Sequence, residues 1–104
     1  MYARVSTYAG TAEDFYRGLE KVKSALMPRV QEMPGYQGAL SLIDRSTGKS
    51  VSITLWDSQE ALRGSRQPTY QMRSDAAAMS PVEILSVQEY EVAIADLAAT
   101  PLKT

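Results

Sequence analysis

The stretch Gly35–Leu62, GYQGALSLIDRSTGKSVSITLWDSQEAL, decides the fold because it alternates apolar and polar side chains on both sides of a short polar turn. Alternation with a period of two predicts two β-strands, Tyr36–Asp44 and Lys49–Asp57. Gly48, in the connection RSTG, can adopt the unusual backbone angle that a tight turn often needs. The stretch is therefore predicted to be a β-hairpin.

On the N-terminal side of the hairpin, the sequence predicts one strand and one long helix. The strand covers Tyr2–Tyr8, and Gly10 ends it. In TAEDF, Thr11 can cap the first turn of the helix. Apolar residues then recur every three or four positions, at Phe15, Leu19, Val22, Leu26 and Val30. Pro28 falls within this pattern and predicts a kink, because proline has no backbone N–H to donate.

On the C-terminal side, WDSQEAL predicts a second helix that Asp57 caps and that Pro68 divides into two pieces. The run Glu83–Val92 alternates well enough for a fourth strand. The order is βαββαβ, which predicts an α+β ferredoxin-like fold with an antiparallel four-stranded sheet and both helices on one face. We expect one domain over residues 1–94 and a loosely held C-terminal tail over 95–104.

Pairing within the hairpin separates two different faces of the sheet. One face is aliphatic, with the pairs Leu42 and Val51, Leu40 and Ile53, and Gly38 and Leu55. The other face is small and hydroxyl-rich, with the pairs Ser41 and Ser52, Ala39 and Thr54, and Gln37 and Trp56. Because the helices cover only one face, the other needs a partner, and a homodimer provides it.

The composition excludes several classes of function. Eleven Lys and Arg against 12 Asp and Glu give a net charge of −1, so a nucleic-acid partner is not expected. No apolar run approaches the roughly 20 residues that span a bilayer, and the start has no signal-peptide pattern, so a cytoplasmic protein without a membrane partner is predicted. The chain has no Cys, His or Asn, so thiolates and imidazoles are excluded as metal ligands and no metal site is predicted.

The segments PGYQGALSL and SITLWDSQEAL, within Tyr2–Val92, resemble the antibiotic biosynthesis monooxygenase-like family of dimeric α+β barrel proteins. The resemblance implies dimers that face their sheets together, with a ligand pocket between each sheet and its own helices. It also implies that Trp56, Thr54 and Ser41 face the pocket. The dimer core would then be formed by Leu40, Leu42, Ile53 and Leu55.

Two departures from the family pattern bear on the reaction. The cofactor-independent aromatic-ring monooxygenases of the family hold substrate with an Asn on the strand before the tryptophan, and this chain has Ser52 there. The haem-degrading branch holds iron with a His on the second helix, where this chain has Ser65, Arg66 and Gln67. Haem breakdown by the usual route is therefore not expected, and no cofactor is predicted.

The candidate substrate-binding residues are Trp56, Thr54, Ser52, Ser41, Tyr70 and Arg73. An enolate or carboxylate could be bound by Arg4, Arg63, Arg66 or Arg73, and Tyr70 or Tyr90 could donate a hydrogen bond. Helix arginines are usually solvated, however, and no residue is identified as the catalytic base. Trp56 is expected to form one wall of a cavity, partly buried and available to stack on a planar ligand. Its alternative role is to fill the core.

Two functions remain open at this point. The first is a cofactor-independent monooxygenase that acts on a small aromatic or polyketide-like molecule, in which an electron-rich phenolate reacts with oxygen while the protein supplies shape and anion stabilisation. The second is a non-catalytic dimer of the same fold that binds a small apolar or aromatic ligand or has a structural role.

Overall fold

The computed structural model describes residues 1–79 and 82–98 and contains one four-stranded sheet with helices over one of its faces. The elements in chain order are β1 Tyr2–Ala9, α1 Ala12–Lys21, a π-helical turn Val22–Leu26, α2 Met27–Gln31, β2 Tyr36–Ile43, β3 Ser50–Trp56, α3 Gln59–Gly64, α4 Arg66–Met79 and β4 Glu83–Glu91. The sheet order is β2-β3-β1-β4 and all neighbours are antiparallel. The predicted ferredoxin-like α+β fold is confirmed.

The proposed boundary between domain and tail stays a prediction. Residues 95–98 of the predicted tail are exposed and carry no regular secondary structure. Residues 99–104 lie outside the described residues, as does the Ser80–Pro81 pair before β4.

The hairpin register agrees with the sequence pattern over most of its length. Leu42 pairs with Val51, and Ser41 pairs with Ser52. The open end differs, because Tyr36 and not Gln37 pairs with Trp56. The register shifts between Tyr36 and Gly38, so Gln37 is an extra, unpaired residue of a bulge, and a strand glycine commonly marks such a position.

The hairpin turn requires a glycine at position 48, as the sequence predicted. Gly48 has φ +78°, and a Cβ there would lie 1.9 Å from the carbonyl oxygen of Gly10. Its N–H donates to the Asp44 carbonyl at 2.8 Å. A side chain at this position would therefore collide with the backbone that leads into α1.

One of the two predicted helix caps is confirmed and the other is wrong. Thr11 Oγ1 accepts from the Asp14 N–H at 3.1 Å, as expected. At the second helix the cap is Ser58, whose Oγ accepts from the Ala61 N–H at 3.1 Å. Asp57 lies one residue before this cap, at the end of the sheet, where its N–H donates to the Gly35 carbonyl at 2.8 Å.

The two helix prolines act differently. Pro28 lies just after the π-helical turn, in which the Met27 N–H bonds to the carbonyl of Val22, five residues earlier. The predicted distortion therefore takes the form of a widened turn. Pro68 does not divide the second helix, because the break falls at Ser65, between α3 and α4. Pro68 lies in the first turn of α4, where its missing N–H leaves no hydrogen bond unmade.

The core lies between the sheet and the helices and is centred on Trp56, which is 0% exposed. It packs with Leu26, Val30, Leu62 and Met72. On the opposite face of the sheet, Leu40 is 44% and Leu42 is 47% exposed. The helices thus cover the hydroxyl-rich face and leave the aliphatic face open.

Candidate functional site

A cavity of about 200 Å³ lies between the sheet and the helices. Strand residues supply a floor of hydroxyl groups from Ser6, Tyr8, Ser41, Ser50, Ser52 and Thr54. Helix residues supply apolar walls from Phe15, Leu19, Val22, Met27, Met72 and Ala77. The alternation of the strands explains the floor, because every second residue of β1 and β3 faces the helices.

Four of the six predicted binding residues come together at this cavity. Ser41, Ser52, Thr54 and Arg73 line it. Tyr70 does not: it is 58% exposed and lines a second groove, whose other lining residues come from α4, β4 and β1. The guanidinium carbon of Arg73 is 5.8 Å from the centre of the Tyr70 ring. The cavity and the groove are therefore neighbours.

The sixth predicted residue, Trp56, has a different environment from the one expected. Its indole is completely buried among core side chains, so the prediction of a partly buried ring available for stacking is wrong. Its Nε1–H donates to Thr54 Oγ1 at 3.0 Å. Since a hydroxyl has its own proton besides its acceptor lone pairs, Thr54 can still donate to a ligand.

Arg4, on β1, is buried to an extent that the sequence interpretation missed. Its side chain is 3% exposed. Its Nη1 donates to Ser65 Oγ at 3.0 Å and Thr69 Oγ1 at 2.9 Å, and its Nη2 donates to the Leu62 carbonyl at 2.8 Å and Glu89 Oε2 at 2.9 Å. Burial lowers the pKa of Arg4, and the hydrogen bond that Arg4 donates to Glu89 opposes that shift. The signal in the sequence was alternation, which places Arg4 and Ser6 on the helix-facing side.

Glu89 on β4 forms ion pairs with arginines of two other elements, β1 and α4. Arg66 on α4 donates to its carboxylate from Nη2 at 2.6 Å and from Nε at 3.0 Å. Arg4 on β1 binds the same carboxylate from the buried side. These contacts hold the pKa of Glu89 below its usual value, with the hydrogen bond from Arg66 as the largest cause. The three residues therefore connect β1, α4 and β4.

The cavity offers hydrogen bonds and positive charge but no carboxylate. Its titratable lining side chains, among the described residues, are Arg4, Arg73 and Tyr8. Tyr8 Oη is 3.2 Å from Ser52 Oγ, so the two hydroxyls form one polar site on the floor. The site can therefore orient a ligand and stabilise an anion, but it holds no side chain that would serve as a base near neutral pH.

Residues 1–79 and 82–98 contain neither a candidate metal cluster nor a candidate membrane-spanning helix. No three His, Cys, Asp or Glu side chains come together there in a way that could hold a metal ion. None of the helices in that part of the chain is both long and apolar enough to cross a membrane.

Comparison with known sequences finds relatives of unknown activity. No protein-family model matches the chain. An uncharacterised protein of Mycobacterium tuberculosis is 31% identical over 96 residues, and a second one from the same organism is 30% identical over 94 residues. The chain spans about two fifths of the length of these curated relatives, 41% and 39% respectively.

Comparison with solved structures identifies the fold. A proposed antibiotic biosynthesis monooxygenase of Deinococcus radiodurans aligns with TM-score 0.67 and 20% identity, covering 96% of this chain and 100% of that one. A Streptomyces coelicolor monooxygenase solved with nanaomycin D gives 0.69 and 16%, covering 94% and 92%. A haem degrader of Mycobacterium tuberculosis, solved with two haems in its active site, gives 0.68 and 21%, covering 94% and 100%. The chain therefore has the ferredoxin-like α+β fold of the antibiotic biosynthesis monooxygenase proteins, as its sequence resemblance predicted.

Proposed function

We propose that this protein is a cofactor-independent monooxygenase that acts on a small aromatic or polyketide-like molecule bound between the sheet and the helices. The observation that carries the proposal is the cavity itself, with apolar helix walls, a hydroxyl floor and arginines at one end. Apolar walls with a few convergent polar groups are the usual composition of a small-molecule site. The shared fold with a monooxygenase that was solved with a ligand supports the same conclusion.

The lining chemistry favours a substrate that is itself the electron donor. Because the described lining contains no carboxylate, and the chain no imidazole, deprotonation by a neutral-pH base is not available. An electron-rich phenol or enol beside the arginines can lose its proton without a protein base, because the positive charge of the arginines stabilises the resulting anion. The hydroxyls of Ser52 and Thr54 would then orient the ring system.

The cavity volume limits the size of the substrate. Ligand pockets commonly measure about 300 to 1,000 Å³, and an engineered protein cavity of about 150 Å³ holds benzene. A cavity of about 200 Å³ is therefore suited to a molecule of one or two fused rings.

Haem is a poor candidate for the substrate despite the shared fold with a haem degrader. Haem is much larger than the cavity, and the chain contains no His to bind its iron.

The second candidate function is a non-catalytic dimer that binds a small apolar or aromatic ligand. The observation that favours it is the same absence of a base from the described cavity lining. Oxygen uptake distinguishes the two functions, because a binding protein would raise its melting temperature with ligand but consume no oxygen.

For either function we propose a homodimer through the aliphatic face of the sheet, formed by Leu40, Leu42, Ile53 and Leu55. The exposure of Leu40 and Leu42, 44% and 47%, supports this arrangement, because contiguous apolar patches of this kind are uncommon on monomers. The face lies opposite the helices, so a second copy could pack there without closing the cavity.

The proposed function is tested by filling the cavity. Ala77→Leu adds bulk to a lining residue of α4, while Ala78→Leu makes the same change at an exposed neighbour on the same helix. Oxygen uptake would be measured with naphthol and dihydroxynaphthalene substrates, with protein-free reactions subtracted for spontaneous oxidation. We expect turnover in the native protein and in Ala78→Leu and none in Ala77→Leu. Turnover that survives in Ala77→Leu would contradict this location for the site.

A further inference from the structure

The cavity borders the groove that Tyr70 lines, because the two share arginine residues. Arg4 and Arg73 line both spaces, and Arg66 and Glu89 line the groove. Three guanidinium groups therefore face a single carboxylate among the described residues. The excess positive charge therefore lies where the cavity and the groove share lining residues.

Arg4 is not free to bind a ligand directly. Its four Nη hydrogens are directed to Ser65, Thr69, the Leu62 carbonyl and Glu89. Only its Nε–H remains. Glu89, the carboxylate that balances it, is shared with Arg66. Arg4 thus contributes charge and rigidity to this end of the cavity.

Arg73 has the opposite character. It is half-buried, and within residues 1–79 and 82–98 it makes no hydrogen bond or ion pair; its contact there is with the Tyr70 ring. The remaining residues of the chain include no Asp or Glu that could pair with it. A partly buried guanidinium without an acidic partner among the described residues has its fork of donors available there, and that fork matches a carboxylate in two parallel hydrogen bonds.

We propose that the ligand is a planar aromatic carboxylate, with its ring in the cavity and its carboxylate bound by Arg73. This inference rests on the proposed function in using the same cavity and adds the chemical class of the molecule. The nearby charge of Arg4 adds attraction without direct contact. Arg73 is in this view the residue that selects acids over neutral molecules of the same shape.

A matched pair of probes tests the proposal. Binding of 2-naphthoate and of its methyl ester would be measured by calorimetry on the native protein, Arg73→Gln and Arg29→Gln. Arg29→Gln is the control because it removes the same charge from an exposed position on α2 outside the cavity. We expect the acid to bind more tightly than the ester by between about tenfold and a hundredfold, the usual range for a charge-assisted hydrogen-bonded pair. Arg73→Gln should remove that preference and leave ester binding nearly unchanged.

The possible failures are distinguishable. If neither probe binds, the proposed small-molecule site fails and this inference falls with it. If both probes bind native protein equally, the site stands and the selection of acids is refuted. If Arg73→Gln weakens the binding of both probes equally, Arg73 only shapes the cavity. If Arg29→Gln weakens binding of the acid as much as Arg73→Gln does, overall charge and not contact is responsible. Either result would overturn the proposal.

Discussion

Replacing Trp56 with Ala tests whether the indole belongs to the core. Its side chain is 0% exposed and packs against Leu26, Val30 and Met72. A buried aromatic side chain removes about 150 to 250 Å² from water, which at roughly 25 cal/mol per Å² corresponds to about 4 to 6 kcal/mol. Measured Trp→Ala and Phe→Ala replacements in cores cost about 3 to 5 kcal/mol. We therefore expect Trp56→Ala to lose about 4 kcal/mol of unfolding free energy.

The loss of the indole hydrogen bond adds little to this value. Thr54 Oγ1, which accepts from Trp56 Nε1, lines the cavity and can exchange that partner for water. For a domain of this size, about 4 kcal/mol corresponds to a fall in melting temperature of about 15 to 30 °C. Such a loss would leave the fold marginal, since domains are commonly stable by only about 5 to 15 kcal/mol.

The assay is urea unfolding followed by far-ultraviolet circular dichroism, because Trp56 is the single tryptophan and its replacement removes the fluorescence signal. Protein concentration must be held constant, since a dimer's apparent stability depends on it. Tyr70→Ala, at a 58% exposed aromatic, is the control and should change stability by no more than about 0.5 kcal/mol. A loss below about 1.5 kcal/mol in Trp56→Ala, together with lost ligand binding, would refute the core assignment and restore the indole as a cavity wall.

Three further outcomes are expected. Ile53→Lys places a charge on the aliphatic face and should split the proposed dimer to 11.4 kDa monomers or unfold it; an intact dimer in sedimentation velocity would contradict that interface. The pKa of Glu89 in the folded protein is lowered from its ordinary value, so its carboxylate stabilises the fold near neutral pH and that stabilisation is lost as pH falls through the folded pKa. Glu89→Gln should therefore flatten the acid limb of urea midpoints measured from pH 7 to pH 3, and an unchanged limb would contradict this expectation. Gly48→Ala should destabilise the protein by at least about 1 kcal/mol in the same urea assay, and a neutral result would show that the turn relaxes.

Much of the fold could be predicted because the signals that define it are local. Period-two alternation predicted the strands of the hairpin and all of its pairs except the one at Trp56, and Gly48 predicted the turn. The Thr11 cap was predicted from a four-residue pattern. The error at Asp57 was a shift of one residue, because Ser58 offers equivalent capping chemistry and only the end of the strand decides between the two.

The candidate site was predicted in part. Alternation placed Ser41, Ser52 and Thr54 on one common face of the sheet, and the family resemblance implied that this face meets the helices, where the three residues form part of the cavity floor. Helical periodicity could not separate Tyr70 from Arg73, because both lie on α4 and their environments depend on how that helix rotates against the sheet. The structure places Arg73 at the cavity and Tyr70 outside it.

The sequence by itself determined the order of the elements, the register of the hairpin from its turn as far as Gly38, and the absence of imidazole and thiolate chemistry. Tertiary structure alone decided that Trp56 fills the core and that Arg4 is held by partners 58 to 85 residues away along the chain. The physical reason is the range of the forces involved. Backbone alternation and turn conformation depend on neighbours in sequence, whereas burial and ion pairing depend on side chains from separate elements that meet only when the helices pack on the sheet.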